Sequence, residues 1–258
     1  MFYIFRYFYH IIKSFFNDET TFYAASLSFF TIFSILPIIA LILAIFSSLH
    51  FFDQYSSKIL AFLLDILNPS NSSDFLLLLK HFLSNISKLG YFGIGYIVIV
   101  FALFFKNYEY IVNKIHKTKR KSIYSSFIFY LFFLLFLLFA IALFIFSQGF
   151  YKSSFLTLLV SFMFGFCIIF SLFKFSVNKK ISNKAAFVSA FTTTLVLSLT
   201  KNSFYYYIYY NKTYATIYGS FATLFFFFFW IYVSWIIFLY GVKFCYKLDR
   251  AFSIHKSF

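Results

Sequence analysis

Six long stretches without a single charged residue dominate this chain and restrict what it can fold into. They are 16 to 33 residues long and alternate with short charged segments. A helix needs about 20 apolar residues to cross the hydrocarbon core of a bilayer. Backbone amides left unpaired in lipid are costly, so spanning segments form helices or a closed barrel. A barrel would alternate apolar and polar residues in segments of about ten, whereas these stretches are continuously apolar.

We therefore predict an all-α, polytopic membrane protein, with residues 1–258 as a single membrane domain of six transmembrane helices. The composition agrees, because 62% hydrophobic and 11% charged residues leave too little polar surface for a soluble domain. The two shortest uncharged stretches are flanked by lysines, whose long stems can carry the ammonium groups to the interface. The predicted spans are residues 22–49, 89–110, 123–150, 153–174, 185–207 and 214–242.

Two segments outside the spans are also predicted to be helical. The N-terminal residues 1–16 are apolar but carry Arg6, His10 and Lys13 and lack a small-residue cleavage site, which predicts an interfacial helix that stays on the protein. The long segment 51–88 has a turn-like composition at residues 68–71. It is predicted to form two short amphipathic periplasmic helices, at residues 56–67 and 73–87.

Lysine and arginine residues are distributed unevenly between the two sides of the predicted bundle. Sixteen lie in the N-terminal segment, the second-to-third connection, the fourth-to-fifth connection and the C-terminal segment, against six elsewhere. The positive-inside rule therefore places both termini in the cytoplasm of a bacterial inner membrane. The same excess produces the net charge of +15 and predicts contact with anionic membrane lipids. The basic cluster at residues 117–121 lies in a loop too short for a nucleic-acid-binding module, so no specific nucleic acid partner is expected.

The sequence shows no motif for catalysis, a metal or a cofactor. The five histidines are dispersed, and Cys167 and Cys245 have no metal-ligand spacing. No GxSxG motif and no phosphate-binding glycine-rich loop occurs. We therefore expect no cofactor and no enzymatic activity.

Polar residues inside the predicted spans have two interpretations. Thr194 and Ser198 lie on one face of the fifth span, beside a second polar row that contains Ser189 and Thr193. Such rows either pack helices together or line a pathway, and both interpretations stay open. In the first span, Pro37 removes one backbone hydrogen bond, which predicts a kink.

Three local patterns carry a family resemblance. The segment DETTFYAASLSFFTIFSILP, residues 18–37, places Asp18 before an Ala-Ala pair, a Phe-Phe pair and Ser34-x-x-Pro37. The segment YEYIVNKI, residues 108–115, contains Glu109 and Asn113. The C-terminal segment IYGSFATLFFFFFWIYVSWIIFLYGVKF has its marked positions at Tyr218, Gly219, Ser220, Trp230, Tyr232, Ser234 and Gly241.

Together these patterns resemble the YihY/virulence factor BrkB family, and the resemblance covers almost the whole chain. It departs at Val177, Ser189 and Lys243, where the family usually has Pro, Gly and Glu. The resemblance implies an inner-membrane protein with six helices. Some members are associated with virulence, and some carry a historical ribonuclease label. RNA cleavage needs a metal or an acid/base cluster, and the predicted cytoplasmic loops offer mainly lysine, so nuclease activity is not expected.

Two functions stay open at this point. The first is a transporter or exporter of a small organic solute or a lipid-like molecule, and the second is a non-transporting scaffold or envelope-integrity protein. Neither the substrate, the coupling ion nor the oligomeric state follows from the sequence. The candidate pathway or structural positions are Asp18, Glu19, Pro37, Lys106, Glu109, Asn113, Thr194, Ser198, Tyr218, Gly219, Ser220 and Trp230.

The charged candidates also have simple structural explanations. Asp18 and Glu19 precede or begin a predicted helix, where carboxylates favour the positive end of the helix dipole. Glu109 lies three residues after Lys106, which is close enough for an ordinary ion pair on one helix face. In a transporter, the same four residues would be ionic elements at the cytoplasmic end.

Overall fold

The structure is a computed structural model, and it describes residues 19–48, 77, 90–119, 123–148, 154–210 and 220–254. The described residues form long helices and contain no strand, which confirms the all-α class. The predicted interfacial helix and the two predicted periplasmic helices lie outside the described residues, apart from Leu77. The helices are α1 (Glu19–Ser48), α2 (Gly90–Ile115), α3 (Ile123–Gln148), α4 (Ser154–Phe175), α5 (Asn183–Tyr210) and α6 (Ser220–Ile254).

The described helices follow the predicted spans, and the largest difference lies at the end of α6. The helix α6 continues to Ile254, past the predicted end at residue 242. The prediction stopped at the first lysine, but a charged residue ends an apolar stretch and does not end a helix. By length and apolarity, two of the described segments could each span a membrane, namely Phe155–Phe175 and Phe225–Ser253. The six-span topology stays a prediction.

The helix α6 lies at the centre of the bundle, where it packs against α5, α1 and α2. Each of the first four helices also contacts the next one in the sequence, namely α1 with α2, α2 with α3, α3 with α4, and α4 with α5. By contrast, α4 is peripheral, since its apolar side chains Phe155 and Leu158 are 71% and 67% exposed. Apolar residues on the outer face of α4 therefore point away from the protein core.

Small residues bring the central helices together. Ala185, Ala186 and Ala190 on α5 are fully buried. A Cβ added to Gly241 on α6 would lie 2.1 Å from Thr193 Oγ1 on α5. Contacts this close need a residue without a side chain, as is common where membrane helices approach each other.

Five helix ends meet at one end of the bundle, which we call the Asn113 end. The start of α1 contacts the end of α2 through Glu19 and Lys114. The end of α2 contacts the connection between α4 and α5, residues 176–182, through Asn113. The end of α6 contacts the same connection through Asp249. The start of α5, which follows residue 182, therefore lies there too.

Candidate functional site

Asn113, in the last turn of α2, is the centre of a buried hydrogen-bond cluster. Its Nδ2 donates to the backbone oxygen of Glu109 at 3.0 Å and of Ser176 at 3.4 Å. Its Oδ1 accepts from the backbone nitrogen of Asn178 at 2.9 Å and from Thr118 Oγ1 at 2.7 Å. The side chain is fully buried. One amide therefore holds the α4–α5 connection against the end of α2.

The chain turn after α2 positions this amide. The nitrogen of Thr118 donates to the backbone oxygen of Asn113 at 2.9 Å, and the nitrogen of Lys117 donates to Lys114 at 3.1 Å. Lys117 adopts the left-handed conformation, with φ of 54°. This pair of bonds, with a left-handed residue just past the helix, is the Schellman motif that ends many helices. It turns the chain back so that Thr118 reaches the Asn113 side chain.

Glu109 lies one turn before Asn113 and is buried, with 5% of its surface exposed. Its Oε1 is 3.4 Å from Asn178 Nδ2. The same Asn178 nitrogen donates to the backbone oxygen of Lys119 at 3.0 Å. The side-chain amide of Asn178 in the α4–α5 connection thus contacts the Glu109 carboxyl group, while the Asn113 amide contacts its backbone oxygen.

An aromatic cluster adjoins the polar groups on their inner side. The hydroxyl of Tyr108 donates to Ser176 Oγ at 3.1 Å, and both residues are buried. The Tyr108 ring lies about 6 Å from the rings of Trp235 and Phe238 on α6. The Trp235 Nε1 in turn donates to Thr31 Oγ1 on α1 at 2.9 Å. Three helices are therefore joined directly beneath the Asn113 cluster.

On the other side of the α4–α5 connection, Asp249 holds the start of α5. Its Oδ1 accepts from the backbone nitrogen of Ser182 at 2.7 Å, and its Oδ2 lies 3.4 Å from Lys179 Nζ. Asp249 is buried, with 6% of its surface exposed. A carboxylate at this position also stabilises the positive end of the helix dipole of α5. The connection is thus fixed by α2 on one side and by α6 on the other.

His116 is buried between these two contacts, just after the end of α2. Its ring lies edge-on to Tyr246 of α6, with 5.5 Å between the ring centres. Burial lowers the pKa of His116 to about 4. The nearby carboxylate of Asp249 opposes this shift, and the positive charge of Lys179 adds to it. The imidazole is therefore neutral at physiological pH.

The predicted acid Glu19 begins α1 and contacts α2. Its Oε2 lies 3.4 Å from Lys114 Nζ and accepts from the Tyr23 hydroxyl at 2.5 Å. Both charged side chains are largely exposed, so this pair contributes little to stability. Asp18 lies outside the described residues.

The remaining candidates are spread along the bundle. Thr194 is buried, donates to its own helix at Ala190 O and lies against α4 near Gly165, which is a packing arrangement. Ser198 is half-buried, one turn further along α5, and Lys106 is exposed on α2. The α1 helix runs through Pro37 without interruption. Trp230 is buried and stacks on Phe204 at 5.6 Å.

Three of the C-terminal candidates cannot be placed in the same way. Tyr218 and Gly219 lie outside the described residues. Ser220 begins α6, and the structure describes its backbone position alone.

Sequence reasoning identified Glu109 and Asn113 but missed their partners. Ser176 and Asn178 lie in a lysine-containing loop that indicated topology, and Asp249 lies beyond the predicted sixth span. Their contacts with α2 and α5 join residues more than 60 positions apart. The available signal was the pair of polar residues Ser176 and Asn178 on either side of Val177, the position where the family usually has Pro. Within the described part of the chain, no three His, Cys, Asp or Glu residues are grouped as metal ligands would be.

Comparison with known proteins gives a consistent family. A family model described as virulence factor BrkB matches residues 11–257. A UPF0761 membrane protein of Legionella pneumophila is 28% identical over 95% of this chain and 61% of its own length. One from Pseudoalteromonas translucida is 30% identical over 88% of this chain and 80% of its own length. One from Haemophilus influenzae is 28% identical over 92% of this chain and 93% of its own length.

The chain thus spans about 61% of the length of the Legionella relative. No solved structure matches the chain.

Proposed function

Since this chain is a membrane protein that belongs to the virulence factor BrkB family, we propose that it is a non-enzymatic transporter. It exports a small organic solute or a lipid-like molecule across the bacterial inner membrane. In this proposal both termini, and therefore the Asn113 end of the bundle, face the cytoplasm. Membrane lipids surround it, and no specific nucleic acid takes part.

The observation that carries the proposal is the buried carboxyl group of Glu109. Ionisable residues within membrane bundles are expensive to bury, and they commonly mark ion or proton paths. The Glu109 carboxyl group accepts from Asn178 Nδ2, and the Glu109 backbone oxygen accepts from Asn113, at the point where the α4–α5 connection meets α2. Protonation of the carboxyl group, or binding of a cation, changes the charge that Asn178 contacts. Such a change can be coupled to movement of the connection.

The α4–α5 connection is the element that would move. It is held by the bonds of Asn113 to Ser176 and Asn178 on one side and by the bond of Asp249 to Ser182 on the other. Each hydrogen bond contributes about 0.5–1.5 kcal/mol net, and somewhat more where a charged group takes part. Opening this end therefore costs a few kcal/mol, which a bound ligand or coupling ion can supply through its different affinity for the two states.

A scaffold function is the second candidate, and the packing of α5 favours it. Thr193 and Thr194 bond to their own helix and fill close contacts with α6 and α4, as expected for a tightly packed bundle. In a scaffold, Glu109 would only hold the α4–α5 connection in place, without any exchange of protons or ions.

The test compares small molecules and lipids in deletion cells with those in cells that express Glu109→Gln. Glutamine keeps the hydrogen-bond acceptor but cannot ionise, so the variant should insert normally and fail to export. The deletion strain should accumulate one compound, wild-type protein should clear it, and Glu109→Gln should fail to clear it. Asn202→Ala on the exposed face of α5 is the control, and it should restore clearance.

Two outcomes would contradict the proposal. Full clearance by Glu109→Gln would show that the carboxyl group has no coupling role. A deletion strain with an unchanged small-molecule and lipid content would favour the scaffold.

A further inference from the structure

The Asn113 end carries positive charge contributed by separate parts of the chain. The α4–α5 connection with the first turn of α5, and the end of α6 from Lys243 to Ile254, together hold six lysines and arginines and one acid, Asp249. Because that acid is buried under the connection, the charged groups that this surface exposes from the two segments are basic. The exposed basic residues, which we call the basic face, are Lys119, Lys179, Lys180, Lys184, Lys247 and Arg250.

The fold brings these residues to one surface. The contacts of Asp249 with Ser182 and Lys179 place the last turns of α6 directly beside the α4–α5 connection. The bond from Asn178 to the backbone oxygen of Lys119 adds the α2–α3 turn. On α6 itself, Lys243, Lys247 and Arg250 are four and three residues apart, so they share one helix face.

Exposed aromatic side chains border the basic face. Phe175 at the end of α4, Phe187 one turn after Lys184, and Phe244 one turn before Lys247 are 54%, 53% and 39% exposed. A surface that binds a free inorganic anion needs the positive charge but gains nothing from exposed phenyl rings on the side toward the bundle. A phosphate group attached to acyl chains matches both features.

We propose that the basic face binds the headgroups of anionic phospholipids, whose acyl chains lie along the exposed phenylalanines. The phosphate groups contact the ammonium and guanidinium groups of the last turns of α6 and the start of α5. The contact stabilises the arrangement in which α6 holds the α4–α5 connection. This function is independent of whether the protein transports a solute.

The test measures the thermal unfolding of the purified full chain in a neutral detergent with added lipid. Phosphatidylglycerol should raise the unfolding temperature of the wild type, because a ligand that binds the folded state stabilises it. Phosphatidylcholine, and inorganic phosphate at the same phosphate concentration, should leave it unchanged. Each basic residue near an anionic surface contributes about 1 kcal/mol, so Lys247→Gln/Arg250→Gln should bind phosphatidylglycerol about tenfold to 30-fold more weakly.

Two further variants make the result specific. Lys114→Gln/Lys201→Gln removes the same charge outside the basic face and should keep the wild-type affinity. Lys247→Arg/Arg250→Lys keeps the charge and should also keep the wild-type affinity. This variant therefore separates loss of binding from loss of folding. The proposal is overturned if phosphatidylcholine raises the unfolding temperature as much as phosphatidylglycerol does. It is also overturned if inorganic phosphate or a single-stranded RNA oligomer has that effect, or if Lys247→Gln/Arg250→Gln retains full affinity.

Discussion

The Oδ1 atom of Asn113 lies 2.9 Å from the backbone nitrogen of Asn178, so a buried side chain of α2 fixes the chain segment that links α4 to α5. The two residues are 65 positions apart in the sequence. The contact therefore determines how one half of the bundle is placed against the other at this end.

Substitution of Asn113 should weaken the whole protein. Asn113→Ala removes the acceptor of the Asn178 and Thr118 bonds and leaves buried polar groups without their partner, which costs about 1–3 kcal/mol for each. The unfolding temperature in detergent should fall by several degrees. Asn202→Ala on the exposed face of α5 is the control and should have little effect. Equal stability of the two variants would mean that Asn113 does not hold the connection.

Gly241 should tolerate no side chain, whereas Gly165 should. A Cβ at Gly241 would lie 2.1 Å from Thr193 Oγ1 and 2.9 Å from Phe173 Cζ, so Gly241→Ala should destabilise by about 1–3 kcal/mol through overpacking. A Cβ at Gly165 meets Thr194 at an ordinary 3.8 Å. There, Gly165→Ala should be neutral or stabilising by up to about 1 kcal/mol, from helix propensity alone.

The Gly241 prediction has an internal check. Thr193→Ala removes the closest atoms, so the double variant Gly241→Ala/Thr193→Ala should recover part of the lost stability. If the stability changes of the two substitutions simply add, Thr193 does not clash with the added Cβ. That result would contradict the close approach of α5 to α6.

His116 should make stability depend on pH. Its pKa in the folded state is about 4, below the usual 6.5, so the unfolded chain binds the proton more readily. Stability from this group is therefore present above pH 6.5 and is lost as the pH falls from 6.5 to about 4, by an amount on the order of 3 kcal/mol. Unfolding temperatures of the wild type and His116→Gln across this window measure it. The variant should show a flatter profile, and identical profiles would contradict the burial of a neutral imidazole.

The sequence was sufficient for the fold class, the membrane location and the family, because each depends on local patterns. Uncharged stretches of spanning length are visible without any tertiary contact, and the marked positions from Asp18 to Gly241 lie within short segments. All three predictions are confirmed. The six-span topology, the orientation and the transport function stay predictions.

The partners of the candidate site could not be predicted in the same way. Glu109 and Asn113 stood out by pattern, but Ser176, Asn178 and Asp249 acquire their roles from contacts between distant segments. The lysines around these residues indicated the orientation of the chain in the membrane. The polar residues between them were therefore not considered as contact residues. The end of α6 was missed for a related reason, because hydropathy measures where lipid ends and not where backbone hydrogen bonding ends.

The length of α6 has a mechanical consequence. It runs unbroken for 35 residues, which corresponds to a rod about 50 Å long. Trp230 and Phe204 lie toward one end of this rod, and Asp249 grips the start of α5 near the other. One continuous helix therefore links the packing around Trp230 to the α4–α5 connection, which Asp249 contacts.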